Sequence, residues 1–244
     1  QSVVADMLRY AEVGPQDFLI DLGSGDGRIV LTAAKVFGAR GFGVEIKEDL
    51  VKRANEAARL EGVADRVRFL QQDLFKTDLR QATVVTMYLL PDTVVLLKDK
   101  FLSELRPGTR IVSHDYPLTG WIPEKYVQMD LEEKVAISGV TTTLIYMYVV
   151  PARVEGNWSA KMPPAVARQG ATLQLKQQLT RVSGSAMLDG REVPLEEVKL
   201  SGTNLSFRMS GRKGEFTGQV KGNSIEGVFD TGSHKTPWSA TLGG

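Results

Sequence analysis

The sequence predicts an α/β protein: a doubly wound, mostly parallel seven-stranded sheet with a C-terminal antiparallel hairpin, followed by a small all-β barrel or sandwich. Three observations carry that reading. Through the first half of the chain, strand-length apolar runs alternate with amphipathic helical segments. Two long β-type runs then follow one another with no helix between them. From about residue 153 helical periodicity stops, and short alternating runs separated by Gly-containing turns take over. The expected division is an α/β domain over 1–152 and a β-rich domain over 153–244.

Residues 2–12 (SVVADMLRYAE) read as a short amphipathic helix, broken by Gly14-Pro15. DFLIDLG (17–23) is a buried strand. Ile29, Val30, Ala33, Ala34 and Phe37 then share one helical face, stopped by Gly38. GFGVEI (41–46) is a strand and EDLVKRANEAARL (48–60) a helix. RVRFLQ (66–71), ATVVTM (82–87) and TRIVSH (109–114) are further strands. Asp92, after Pro91, is expected to cap a helix running through Leu105, which Pro107-Gly108 ends. YVQMDLEEKVAI (126–137) and TTTLIYMYVV (141–150), joined through Ser138-Gly139, should pair antiparallel. Beyond them about eight short strands are expected. Asn157-Trp158-Ser159-Ala160 and Pro237-Trp238-Ser239-Ala240 resemble each other, as first and last strands that meet and close a barrel would. Trp158 and Trp238 then belong to its core, and His234 to a structural turn.

Composition narrows the chemistry. A net charge of +1 argues against a general grip on nucleic acid. Residues 1–150 hold 18 basic and 21 acidic side chains, a net −3; residues 151–244 hold 12 and 8, a net +4. With no cysteine and two histidines, no protein metal site is expected, and thiol chemistry is excluded. No run approaches the length of a membrane span. The chain opens at Gln1; a cytoplasmic protein is expected, with export after removal of a signal peptide as the alternative. Oligomeric state stays open.

The chemistry is concentrated in FLIDLGSGDGRIV (18–30). Gly23, Gly25 and Gly27 follow a strand and precede a helix, so backbone N–H groups can approach a ligand closely. The dinucleotide fingerprint is G-x-G-x-x-G, and here its third glycine position is Arg28. Asp21 and Asp26 also crowd the loop. A pyrophosphate would be repelled there and a cationic ligand attracted. Asp26 has a second reading, as a cap of the following helix. Glu45 ends the second strand, where an acid accepts hydrogen bonds from ribose hydroxyls. Asp73 follows the third, level with the exocyclic amine of an adenine. All three acids lie on the carboxyl rim of the sheet.

DLGSGDGR followed by GVEI, QQDLF, ATVVTMYLLP and LRPGTRIVSHD, then a hairpin, resembles a class I S-adenosylmethionine-dependent methyltransferase over roughly residues 1–150. The DLGSG…GVE wording is also similar to the non-SET lysine methyltransferases. The resemblance implies that Asp21 and the loop Gly23, Ser24, Gly25, Asp26 and Gly27 hold the methionine part of the cofactor S-adenosyl-L-methionine. Glu45 would hold the ribose with Ile46 beside the adenine, and Asp73 with Leu74 the adenine edge. It implies in-line methyl transfer to a nucleophile of a protein, such as a lysine amine, or of a small molecule. Candidate catalytic residues are Tyr88, His114 and Asp115, beyond the fourth and fifth strands. Tyr88-Leu89-Leu90-Pro91 stands where base and glutamine methyltransferases carry Asn/Asp-Pro-Pro-Tyr, which counts against those substrates. Two other functions compete: a nicotinamide-dependent oxidoreductase, disfavoured by Arg28 and the acids, and a non-catalytic scaffold whose β-domain binds a partner.

Overall fold

The computed structural model describes residues 3–130 and 142–243. The chain forms two compact units, Gln1–Val150 and Pro151–Gly244. In the first, α1 (Val3–Tyr10) precedes β1 (Phe18–Leu22), α2 (Arg28–Phe37), β2 (Arg40–Glu45), α3 (Glu48–Leu60) and β3 (Val67–Gln71). Both crossover helices bury alanines along with larger residues: Ala33 and Ala34 in α2, Ala54 and Ala58 in α3. Such small residues let a helix lie close to the sheet. From β3 to β4 (Val84–Met87) the chain makes only a 3-10 turn, Leu74–Lys76, instead of a full helix. Then come α4 (Pro91–Glu104), β5 (Arg110–His114), β6 (Lys125–Asp130) and β7 (Thr142–Val149).

The sheet order is β3-β2-β1-β4-β5-β7-β6. β1 to β5 pair in parallel, and β7 runs antiparallel to both β5 and β6. The chain winds outward from β1 to β3, then restarts on β1's other side at β4. Ligands of such sheets bind where the order reverses, outside the carboxyl ends of the strands. The expected hairpin therefore forms, although its expected turn at Ser138-Gly139 lies outside the described residues. One expectation is corrected: Leu90, not Asp92, is the N-cap of α4, with Pro91 at the first helical position. Proline's fixed φ suits that position, where its missing N–H has no helical acceptor to lose. Asp92 instead puts its charge in the first turn, where the helix dipole favours an acid.

The second unit is a closed eight-stranded barrel, β8 (Gly156–Lys161) through β15 (Lys235–Leu242), in which each strand pairs with its neighbours in sequence. β15 returns to β8 with Ala240 opposite Ala160 and Thr241 opposite Ser159, so the two Trp-Ser-Ala segments make the closure. The interior is full. Phe216 stacks on Phe207 and Phe229 at centroid distances of 5.0 and 4.2 Å, and Trp238 meets both Phe207 and Phe216 edge-on. Trp158 and Trp238 are buried, and their indole N–H groups donate to Val154 O and Thr217 O. These rings belong to one buried hydrophobic core inside the barrel.

A buried ionic clasp fixes the strand ends opposite the rim. The Asp17 carboxylate accepts from Gly14 N at 2.9 Å and Thr83 Oγ1 at 2.8 Å, and pairs with Arg110. Arg110 also donates to Ala11 O and Glu12 O, tying the end of α1 to β5. Asp17 is 3% exposed, so losing it would leave the Arg110 cation without its counter-charge. Asp17→Ala should destabilise the first unit by about 3–5 kcal/mol. Denaturant titration, followed by hydrogen exchange of β1 and β5 peptides, should detect this; an unchanged midpoint would refute it.

Candidate functional site

The site lies at the carboxyl ends of β1, β2 and β4. Asp21 is 2% exposed, and only a carboxylate that tight in the sheet makes the loop above it unusual. Loss of water drives its pKa up to about 7, and the negative charges of Asp26 and Glu45 push the same way. A hydrogen bond from Thr86 Oγ1 to Asp21 Oδ1, 2.8 Å long, opposes them. Thr86 sits directly across from Asp21 in the β1–β4 pairing.

Gly23, Gly25 and Gly27 all take positive φ, at 75°, 55° and 87°. At Gly27 space is decisive as well: an added Cβ would lie 2.6 Å from Phe69 Cζ and 2.9 Å from Ala54 Cβ. At Gly25 such an atom would meet nothing within 4 Å, so this side of the loop is open. Gly23 N and Ser24 N both donate to Val44 O, and Gly25 N donates to Glu45 Oε1 at 3.1 Å. The Glu45 carboxylate thus holds the loop as well as facing the rim. Its other oxygen accepts from Lys47 N. Ser24 turns its side chain beneath the loop toward Gly43, and its buried Oγ has no partner in the structure.

Asp26 behaves partly as a cap: its Oδ1 accepts from Arg28 N at 3.2 Å, while the N-cap position itself is Gly27. Asp26 and Arg28 also form an exposed ion pair at 2.8 Å, and the Arg28 side chain holds the Asp26 carboxyl below the usual range. Asp73 caps the 3-10 turn by accepting from Phe75 N at 2.9 Å. Leu74 opens that turn, and Ile46, beyond β2, is 68% exposed.

The three candidates at the ends of β4 and β5 fall into distinct settings. Tyr88 is 55% exposed, and its ring lies 5.1 Å from that of His114, centroid to centroid. His114 is 7% exposed, with Nε2 2.6 Å from Met7 Sδ of α1. Asp115, at a φ of 63°, accepts from Thr143 Oγ1 at 2.7 Å and Leu144 N at 3.0 Å. It pins the end of β5 to β7. Thr86, Met7 and Thr143 were not singled out from sequence. Thr86 alone left a signal, as a hydroxyl in an otherwise apolar strand VVTM.

The ANTKMT methyltransferase domain family matches residues 21–125. A protein-lysine N-methyltransferase of Saccharolobus islandicus is 38% identical over 151 residues, 62% of this chain and 89% of the relative. The adenine nucleotide translocase lysine N-methyltransferase of Mus musculus is 36% identical over 132 residues. Here the chain spans 53% of the relative's length, and 54% of its own. A solved structure of a Salinibacter ruber protein, described as an RNA methyltransferase in complex with S-adenosyl-L-homocysteine, is 47% identical with a TM-score of 0.55. That match covers 62% of this chain and 92% of the other.

A carboxyl group whose folded pKa of about 7 exceeds its unfolded value of 3.8 favours folding while protonated. Its contribution is therefore greatest at low pH and is lost as pH rises toward 7. Asp21→Asn, which removes the charge and keeps the shape, should raise the melting temperature of the ligand-free protein at pH 8. The gain over the parent should shrink as pH falls through 7. Thermal melts across that range would refute the assignment if the gain were absent or independent of pH.

Proposed function

The chain belongs to the class I S-adenosylmethionine-dependent methyltransferases, and on that premise we propose that its acceptor is the ε-amine of a protein lysine. The observation that carries this reading is the 38% identity to an archaeal protein-lysine N-methyltransferase, of which the chain spans 89%. The rim agrees in chemistry. Tyr88 offers an exposed ring beside the site, and aromatic faces attract ammonium and methylammonium groups.

The donor-side residues fit the cofactor. A buried acid beside two others calls for a cation, and the methionine part of S-adenosylmethionine carries an ammonium group. The open side of Gly25 leaves room for it. We assign Asp21 and the loop Gly23–Gly27 to that part, Glu45 and Ile46 to the ribose and adenine, and Asp73 and Leu74 to the adenine edge. The cofactor supplies a methyl group already activated on a sulfonium, so orientation and exclusion of water are the chain's main contributions. Tyr88 contacts the acceptor amine and His114 backs its ring. Asp115 braces the β5–β7 pairing that carries His114. The amine must arrive neutral, and of the two rings only the His114 imidazole has a basic nitrogen for its proton.

A second reading, RNA methylation, rests on the Salinibacter ruber structure, described as an RNA methyltransferase. Charge argues against it. Residues 1–150 carry a net −3, and the rim holds Asp21, Asp26, Glu45 and Asp73, which would repel a phosphate backbone.

Labelled S-adenosylmethionine, incubated with the protein and separated protein and RNA fractions, tests the two readings. Label should enter protein, resist ribonuclease and map to lysine; label confined to RNA would overturn the proposal. Tyr88→Ala should lower kcat/KM for the protein acceptor about tenfold, the scale of a lost cation–π contact, and leave cofactor affinity unchanged.

A further inference from the structure

Thr86 is fully buried in the middle of the sheet, where valine would fill the same space without a hydroxyl to satisfy. Its Oγ1 donates to Asp21 Oδ1 at 2.8 Å from the facing position on β4. We propose that Thr86 is a positioning residue for methyl-donor binding: it orients the Asp21 carboxylate and keeps it ionised for the cationic cofactor. The inference rests on the assignment of Asp21 to the cofactor.

The surroundings explain why such a residue is needed. Three influences act to protonate Asp21: burial, the charge of Asp26 on the loop, and the charge of Glu45 on β2. Arg28, at the start of α2, is engaged with Asp26. From β4 the group that meets Asp21 is Thr86 itself, whose O–H favours the charged form. Gly23 N and Ser24 N cannot take over this task, because both are committed to Val44 O. Neutralising Asp21 would remove the charge that attracts the cofactor's ammonium group. Thr86 therefore acts on cofactor affinity through a second residue, and its effect must depend on pH.

The test is calorimetric titration of the full chain with S-adenosylmethionine from pH 6 to 9, using the parent, Thr86→Val and Thr86→Ser. The ratio of variant to parent affinity cancels titration of the cofactor's own amine. A lost hydrogen bond to a charged group should move Asp21 upward by about one pH unit, so Thr86→Val should bind about fivefold more weakly near pH 7 and about tenfold more weakly at pH 6. By pH 9 the two should converge. Thr86→Ser, which restores the donor, should follow the parent throughout. A valine variant that matches the parent at every pH overturns the inference. So does one weakened equally at every pH, the mark of a packing defect, or a serine variant no better than valine. Asp21→Asn separates the two levels of the argument. If it weakens binding while Thr86→Val does not, only the role of Thr86 falls; if it binds like the parent, the cofactor assignment falls with it.

Discussion

A carboxylate near the end of an interior strand sets the terms for everything around it. Asp21 is buried between β2 and β4, and in water-free surroundings an isolated anion is costly. Most buried acids of folded proteins are paired with a cation. The structure does this elsewhere, where Asp17 meets Arg110. At Asp21 it does the reverse and adds Asp26 and Glu45. The folded chain therefore holds an electrostatic debt on the rim that a cationic ligand relieves. On the proposed assignment of Asp21 to the methyl donor, stability given up there makes the donor's positive charge worth more on binding than it would be in a neutral pocket.

The two buried acids at either end of β1 show how one strand serves both stability and function. Asp17 lies at the strand's start, where the clasp with Thr83 and Arg110 fixes β1, β4 and β5 in register and anchors α1. Four residues on, Asp21 lies at the strand's end, with Thr86 opposite as Thr83 is beside Asp17. The same parallel pairing that makes the first contact rigid places the second hydroxyl within reach. A rigid floor matters because the reacting groups above it come from separate strands, and small displacements of either are costly in methyl transfer.

Much of this arrangement was legible in the sequence, for identifiable reasons. Gly23, Gly25 and Gly27 announce their conformations, because few other residues adopt positive φ. The alternation of strands and helices placed the three acids on the carboxyl rim of a parallel sheet, and the repeated Trp-Ser-Ala suggested the barrel closure, which the Ala240–Ala160 pairing realises. What escaped were contacts between residues far apart in the chain. Thr86 meets Asp21 across 65 residues and Met7 meets His114 across 107, and no local pattern encodes either. The Asp92 expectation failed for a local reason: two start signals stood side by side, and proline's fixed φ took the first helical position. The acid of Glu45 was placed on the ligand side alone, whereas one of its oxygens secures the loop through Gly25 N.

The imbalance between donor and acceptor signals follows from the reaction. A sulfonium methyl is already activated, so the chain needs no strong nucleophile, metal or tightly tuned acid–base pair to move it. Binding the donor requires shape and charge at fixed points, and those leave glycines and acids in the sequence. Receiving the acceptor requires a rim that admits one nucleophile and excludes water. Such a rim can be built from ordinary exposed side chains; Tyr88 is exposed beyond β4, and Leu89 lies 3.0 Å from the position a Gly23 Cβ would occupy. Their identities say little until the fold places them over the loop. A methyltransferase of this kind therefore declares its cofactor in its sequence and its substrate class only in its surface.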